Sequence, residues 1–326
     1  MSIVRISAVA ALFTASLAAQ SPVVGVGNFS HIVANMDRAI EFYRDVIGLE
    51  MSGQAGAFSG NPAIMNLGNT AGAQSRAATL KVPGSALGVE LIEYKDIDRK
   101  PAQPRFQDPG AATLILSVRD IDTIVARVKK SAGRIQTLGG AVATVGAGAK
   151  AIFIQDPDGF FIELSQRTPA PETTAPATAN IIGGNFEIMV ADTDKTMRLY
   201  KEALGFDPQA ATAFDGNKLL MDTVGTPGAQ FKRSVATIPG TSVYVAFLEF
   251  KDIDRRPIQA RTQDPGQPIL QLRVRDVDAV AKAWKTAGGE IVSTNGESVK
   301  IGTNKIVLLR DPNGLMLEIL PAPQPR

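Results

Sequence analysis

The side chains that could do chemistry in this sequence are mainly carboxylates, amides and arginines. The chain contains one histidine, His31, and no cysteine. Thiol nucleophiles, thiolate metal sites and disulfides are therefore excluded. No nucleophile-elbow spacing surrounds a serine that His31 could activate. The glycine pairs 139–140 and 146/148 lack the following Lys-Ser/Thr of a phosphate-binding loop.

The spacing of these polar residues repeats along the chain. Residues 95–110 recur as 251–266 with twelve of 16 positions identical, at an offset of 156. Three more blocks recur in the same order: 27–29 as 184–186, 118–122 as 274–278, and 156–159 as 311–314. Chance does not supply four ordered blocks, so the sequence indicates an internal duplication.

Composition divides the chain into two modules behind a targeting segment. Residues 1–20 combine a short basic start, an apolar stretch and a small-residue exit, which predicts a signal peptide and an exported protein, periplasmic or secreted. We expect a first module at 23–167, a Pro/Thr/Ala linker at 168–180, a second module at 181–321 and a tail at 322–326. No span is expected in the mature chain. The net charge of +2 argues neither for nor against an acidic partner, and the lack of a basic stripe argues against nucleic acid.

Periodicity predicts the same element order twice within each copy. A strand near 27–33 precedes a helix over 36–47, then two weaker strands within 50–83 and a clear strand at 89–94. The second half repeats this with a strand at 113–118, a helix ending near Gly133, and strands near 150–154 and 160–165. Asp-Pro-Asp/Asn-Gly at 156–159 and 311–314 is typical of a hairpin turn.

Two motifs resemble the vicinal oxygen chelate superfamily, which contains glyoxalase I, extradiol dioxygenases, fosfomycin-resistance enzymes and bleomycin-binding proteins. The first is Asn35…Phe42-Tyr43…Gly48, repeated from Asp192 to Gly205. The second is Asp-Pro-Asp/Asn-Gly-x-x-x-Glu, which ends in Glu163 and Glu318. The resemblance covers nearly all of 23–167 and 181–321. It implies an α+β fold of two tandem modules, each made of paired βαβββ units whose strands curl into a cup.

Metal-dependent members of that superfamily hold a divalent ion in the cup, and the resemblance implies four ligand positions per copy. Counting seven residues back from Asn35 and Asp192 gives the first position of each copy. The implied sets are Asn28, Glu90, Thr113 and Glu163 in the first copy, and Asn185, Ala246, Ile269 and Glu318 in the second. Neither set contains the usual imidazole. The first set offers only oxygen ligands, which suit Mg²⁺, Mn²⁺ or Ca²⁺.

The pairing of the halves is left open by the sequence. If they pair across copies, Asn28 and Glu90 would face Ile269 and Glu318. Asn185 and Ala246 would then face Thr113 and Glu163, so neither cup would hold the complete first-copy set.

Further polar residues on the predicted strands and connectors are candidate ligand contacts. Ser30 and Glu187 share a strand face with Asn28 and Asn185 respectively, so both should point into a cup. His31 lies three residues after Asn28 and therefore on the opposite face, where we expect a packed structural role. Among the carboxylates, Glu163 is the first candidate for a catalytic group.

The repeated connector supplies Arg105 and Arg261, which have two interpretations. They could anchor an anionic ligand at a cup mouth, or they could simply stabilise the connector, which the loop chemistry favours. Glu93 and Glu249, on the face away from the cup, should pair with a neighbouring Lys or Arg.

Two functions from different classes follow. The implied metal-ligand positions lack histidine, and two of those in the second copy are apolar, which favours a protein that binds a small organic molecule without catalysis. The alternative is a divalent-metal-dependent lyase, isomerase or dioxygenase active in the first module. No cofactor is certain, and the protein should be a monomer or a homodimer.

Overall fold

The computed structural model describes residues 20–323. The predicted signal peptide lies almost wholly outside these residues. The first copy contains β1 (Val23–Ile32), α1 (Met36–Glu41), a π-helical continuation at Phe42–Ile47, β2 (Glu50–Met51), α2 (Pro62–Gly68), β3 (Gln74–Lys81), β4 (Gly88–Lys95), β5 (Ala112–Val118), α3 (Ile121–Val128), β6 (Arg134–Ile135), β7 (Ala143–Gly146), β8 (Ala149–Gln155) and β9 (Phe161–Arg167). A 3₁₀ turn at Leu138–Gly140 precedes β7.

The second copy follows the same order with one short strand fewer in its first half. It contains β10 (Ile181–Met189), α4 (Thr193–Leu204), α5 (Lys218–Val224), β11 (Gln230–Thr237), β12 (Tyr244–Lys251), β13 (Pro268–Val274), α6 (Val277–Thr286), β14 (Glu290–Ile291), a 3₁₀ turn at Thr294–Gly296, β15 (Val299–Ile301), β16 (Asn304–Arg310) and β17 (Met316–Pro321). None of the helices in residues 20–323 is long and apolar enough to cross a membrane.

The first turn of each helix that follows the opening strand of a half is fixed by an acid or amide, which in α1 and α4 is the residue that opens the family motif. Asn35, Asp120, Asp192 and Asp276 each accept a hydrogen bond from a backbone N–H of the first turn. Such N-caps satisfy donors that have no partner within the helix. Gly48 ends the first helix at φ 99°, a left-handed conformation that glycine adopts without a Cβ clash.

Helices α2 and α5 were missed by the periodicity, because each has only seven residues. Local signals were present for α2: Asn61 caps the helix and Pro62 occupies its first turn. Asn217 caps α5 in the same way. The weak strands expected within 50–83 are present as β2 and β3, on either side of α2.

Each of the two large sheets combines one half of each copy. The first sheet has the order β14-β16-β17-β13-β1-β4-β3-β2, and the second has the order β11-β12-β10-β5-β9-β8-β6. Their centres are the antiparallel pairs β1–β13 and β10–β5. The cups therefore form between copies. Of the pairings that the sequence left open, the structure shows the one across copies.

One apolar core joins the two sheets and the helices that cover them. Phe29 of β1 and Phe186 of β10 stack with their ring centroids 5.5 Å apart, and both are fully buried. Along β4, Val89 and Leu91 are buried, whereas Glu90 and Ile92, which alternate with them, line a cavity on the other face. The pleat thus separates a core face from a cup face.

Candidate functional site

Each sheet curls around one cavity, and we name the two cavities after their sheets. The first cup, on the first sheet, has a volume of about 380 Å³ and the second cup about 570 Å³. Both volumes are typical of small-molecule sites. Apolar side chains supply much of each wall, and each cup contains two buried or half-buried glutamates.

The polar floor of the first cup is a carboxylate–amide–carboxylate cluster. The Gln271 side-chain nitrogen donates to a carboxylate oxygen of Glu90 at 2.8 Å and to one of Glu318 at 3.0 Å. The Ser30 hydroxyl donates to the same Glu90 oxygen at 2.9 Å. The side-chain oxygen of Gln271 accepts the backbone N–H of Asn28, which fixes the amide with its nitrogen toward the carboxylates.

Burial disfavours the charged form of both carboxyl groups in the first cup. It raises the pKa of Glu318 to about 7, with the charge of Glu90 as the second cause. The pKa of Glu90 is also raised by burial, against the hydrogen bonds from Ser30 and Gln271. The pair is therefore stabilised by a proton or by a cation that shares the site.

The donor chemistry of the first cup fits a hard cation that completes its shell with water. Two carboxylates are within the number of protein ligands that Mg²⁺ commonly takes. No cluster of three or more His, Cys, Asp or Glu side chains with metal-ligand geometry occurs within residues 20–323. Glu90 and Glu318 would hold such a cation. Metals that prefer histidine ligands, such as Zn²⁺, Ni²⁺ or Fe²⁺, would find no suitable ligand set in this cup.

The second cup also contains two buried carboxylates, but with arginines beside them. Burial raises the pKa of Glu163 to about 8, with the charge of Glu187 as the next cause. Arg233 and Arg167 act in the opposite direction on Glu163. The Arg233 Nε atom lies 3.7 Å from a carboxylate oxygen of Glu187, whose pKa is raised by its burial.

This arrangement does not fit a divalent metal. Two guanidinium groups on the cavity wall would repel a cation, and they already supply positive charge to the carboxylates. Ala246, at the position implied for a second ligand, is buried and apolar. Asn185, at the position implied for a first ligand, lines the cup and accepts the backbone N–H of Tyr244 through its side-chain oxygen.

The first-copy metal set does not assemble. Glu90 lies in the first sheet and Glu163 in the second, because β1 pairs with β13 and β10 with β5. Asn28 reaches Gln271 only through its backbone and does not line the first cup. Thr113 is fully buried with no hydrogen-bond partner for its hydroxyl, and it does not line the second cup. The expectation of one four-ligand site in the first copy is therefore wrong.

Arg105 and Arg261 lie in the connectors and line neither cup. Arg105 forms ion pairs with Asp108 at 2.6 Å and with Asp254 at 2.9 Å. Arg261 forms the matching pairs with Asp264 and Asp98. The structure supports the interpretation that the loop chemistry favours and contradicts the alternative of an anchor at a cup mouth, because the guanidinium groups hold the two connectors together.

His31 is a packed residue on the core face, as the alternation predicts. Its Nε2 atom lies 2.9 Å from a carboxylate oxygen of Asp156, and its ring stacks on Phe160 at 4.7 Å. The Tyr43 hydroxyl donates to the same Asp156 oxygen at 3.1 Å. The cluster joins β1, the first helix and the turn before β9, away from both cavities.

The predicted ion pairs of Glu93 and Glu249 are confirmed. Glu93 binds Arg76 at 2.7 Å, and Glu249 binds Lys232 at 3.2 Å. Each glutamate also accepts a backbone N–H at the start of a helix, from Met36 and Thr193 respectively.

Sequence reasoning missed four cup residues: Gln271, Arg167, Arg233 and Tyr244. Arg167 follows Glu163 by four residues on β9 and so shares its face. Gln271 follows Ile269 by two residues on β13 and so shares its face, a signal that the alternation already contained. Tyr244 precedes Ala246 by two residues on β12 and shares its face, so the same signal was present for it. Arg233 lies on β11, where the family motifs give no register.

The fold and the cups define a class of protein: paired βαβββ units whose sheets each enclose a ligand-sized cavity. The sequence profile of the Glyoxalase/Bleomycin resistance protein/Dioxygenase superfamily matches residues 25–164 and 184–319. The chain belongs to this superfamily, and both copies of the repeat are members.

Curated relatives and solved structures agree with this assignment. The chain is 24% identical over 293 residues to a probable chloroplastic lactoylglutathione lyase of Arabidopsis thaliana, covering 86% of this chain and 68% of the relative. It is 30% identical over 145 residues to a 2-epi-5-epi-valiolone epimerase of an Actinomyces species, covering 43% and 78% respectively. Glyoxalase I from Zea mays matches in structure with a TM-score of 0.60 at 17% identity, covering 93% of this chain and 92% of that chain. This last likeness shows the fold alone.

Proposed function

We propose that the protein binds a small organic molecule in a cup whose metal-ligand positions have degenerated. The observation that carries this proposal is the form of the cups: about 570 and 380 Å³, with apolar walls and a few converging polar groups. Such cavities bury most of a small ligand, and their polar groups fix its orientation.

The residues at the family's ligand positions support binding over metal catalysis. Ala246 and Ile269 cannot ligate a metal, and Thr113 does not reach a cavity. The second cup has guanidinium groups beside its carboxylates. Superfamily membership by itself does not assign catalysis, because one fold hosts many functions.

Three probes of one shape and different charge test the proposal: 2-naphthoate, 2-naphthamide and 2-naphthylmethylamine. We expect at least one to raise the melting temperature of the full chain and to bind stoichiometrically by calorimetry. Ala77→Trp narrows the first cup and Ser117→Trp the second, and one of them should abolish that binding. If no probe binds, or if neither variant affects binding, the proposal is contradicted.

The alternative function is a divalent-metal-dependent lyase, isomerase or dioxygenase centred on the first cup. One observation favours it: Glu90 and Glu318 are buried together on a single amide, with no cation among their hydrogen-bond partners. Several of the similar curated proteins are named as lactoylglutathione lyases. A metal held there would act as a Lewis acid on adjacent substrate oxygens. Glu90 and Glu318 would hold it, and Gln271 would keep them in position.

Metal titration separates the two functions without an activity assay. We would titrate Mn²⁺ by calorimetry and measure bound metal by elemental analysis after desalting. If the wild type binds metal stoichiometrically, and Glu318→Gln loses that metal while Glu163→Gln retains it, the result supports the metal-dependent enzyme and contradicts metal-free ligand binding. Absence of binding under all conditions would contradict the enzyme.

We further propose that the protein acts after export, in the periplasm or outside the cell. The charge and hydropathy pattern of residues 1–20 supports this. N-terminal sequencing of protein recovered outside the cytoplasm should find a start near residue 21, whereas recovery of the protein only from the cytoplasm, with Met1 intact, would contradict export.

A further inference from the structure

The two cups differ at two positions that are equivalent by register. Arg233 pairs with Leu248 as Ala77 pairs with Ile92, so Arg233 occupies the place of Ala77. Tyr244 pairs with Thr237 as Gly88 pairs with Lys81. The second cup therefore has a guanidinium and a phenol where the first has a methyl group and a hydrogen atom.

The guanidinium of Arg233 is held in place, but its hydrogen-bond donors have no acceptor among the described residues. Its nearest carboxylate oxygen, on Glu187, is 3.7 Å away, which is beyond hydrogen-bond distance. Its side chain lines the cavity and is 34% exposed, and no described residue accepts a hydrogen bond from it. The ring of Tyr244 lies 5.7 Å from it and supports its position by a cation–π contact.

The charge balance of the second cup favours a negative ligand. Arg167 lies on the same cavity wall, so two guanidinium groups face Glu163 and Glu187. Because burial raises the pKa of Glu163 to about 8, that carboxyl group is largely protonated near neutral pH and can donate a hydrogen bond. By contrast, the arginine that lines the first cup, Arg76, is occupied by Glu93 at 2.7 Å.

The remainder of the second cup requires an apolar body on the ligand. Phe153, Phe231, Val224 and Leu248 line the cavity around the polar groups. A purely polar anion would leave these apolar side chains in contact with water. An aromatic or aliphatic group on the ligand would cover them, and the burial of apolar surface would favour binding.

We propose that the second cup binds an organic carboxylate with an apolar body, and that the fork of Arg233 takes the carboxylate. This rests on the proposed function and specifies its ligand. A planar guanidinium binds a carboxylate through two parallel hydrogen bonds, which a single lysine charge does not reproduce. Tyr244 and Glu163 supply further donors on the same wall.

The test compares 2-naphthoate with the uncharged 2-naphthamide by calorimetry on the full chain at neutral pH. We expect the carboxylate to bind wild type about tenfold or more tightly than the amide, as a hydrogen bond to a charged group predicts. Arg233→Gln should remove this preference. Arg198→Gln, which removes an exposed arginine of α4, is the matched control and should keep it.

The outcomes distinguish this inference from the proposed function. Equal binding of both probes to wild type, or an unchanged preference in Arg233→Gln, overturns the inference and leaves the proposed function standing. Binding of neither probe overturns the inference, and it contradicts the proposed function as well if 2-naphthylmethylamine also fails to bind. If Arg233→Gln loses its near-ultraviolet circular dichroism, Arg233→Lys replaces it, and a preference for the carboxylate as large as in wild type overturns the inference.

Discussion

Glu163 and Glu318 occupy equivalent positions in the two copies, but their different neighbours give their carboxyl groups different properties. It lies on β9 beside a second carboxylate and two arginines, and burial is the largest influence on its pKa, which is about 8. Glu318 occupies the equivalent place on β17, where its neighbours are a carboxylate and an amide and its pKa is about 7. The duplication thus preserved the carboxylate and changed its partners.

The raised pKa of Glu163 predicts a pH dependence of stability. The folded state holds this proton more tightly than the unfolded state, so the unfolded chain binds fewer protons between about pH 4.5 and 8. The contribution of Glu163 to the free energy of unfolding is therefore full below that window and is lost as the pH rises through it. Glu163→Gln should flatten the decline and be more stable than wild type above pH 8.

Urea unfolding of wild type and variant across pH 4–9 measures this difference. Glu202→Gln, which changes an exposed glutamate of α4, should keep the wild-type slope. A Glu163→Gln variant with the same pH slope as wild type would show that the carboxyl group titrates normally in the folded protein.

At the scale of elements, the connectors at 95–110 and 251–266 act as a reciprocal brace. Arg105 of one connector reaches Asp254 of the other, and Arg261 returns to Asp98. Asp108 also accepts the backbone N–H of Arg256, across the two connectors. Identity between the connectors follows from this symmetry, because each must satisfy the same partners on the other copy.

Asp108→Ala should therefore weaken the joint between the copies. The buried carboxylate accepts hydrogen bonds from Arg105 and from the Arg256 backbone, and its loss leaves those donors unsatisfied. We expect a loss of about 1–3 kcal/mol in the free energy of unfolding. Asp254→Asn, which changes an exposed partner, should have little effect. Equal stability of Asp108→Ala and wild type in chemical denaturation would contradict the brace.

The elements that the sequence predicted well are those with a local cause. Periodicity and the capping residues Asn35 and Asp192 marked the long helices, and alternation placed His31 away from the cup. Helix α2 was not predicted, because a helix of seven residues is too short to show a clear hydrophobic periodicity. Alternation from Ile269 was enough to place Gln271 on a cup face, whereas the position of Arg233 depends on the pairing of β11 with β12, which no local pattern reveals.

For the whole molecule, the decisive unknown was which halves pair. Both pairings satisfy the same strand patterns, because the repeated halves present equivalent edges. The structure pairs β1 with β13 and β10 with β5. Pairing across copies puts Glu90 with Glu318 and Glu163 with Glu187, and so it determines the chemistry of both cups.

This pairing predicts that one copy cannot complete a cup alone. In a fragment of residues 20–170, β1 and β5 would each lose an antiparallel partner and expose an unpaired edge. We expect the fragment to form a dimer in which β1 of one chain pairs with β5 of the other, or to unfold without cooperativity. Mixing it with residues 171–323 should give a one-to-one complex, because the second fragment supplies β13 and β10. Light scattering after gel filtration, together with thermal unfolding, measures both, and a cooperatively folded monomer of residues 20–170 would contradict the dependence of each cup on both copies.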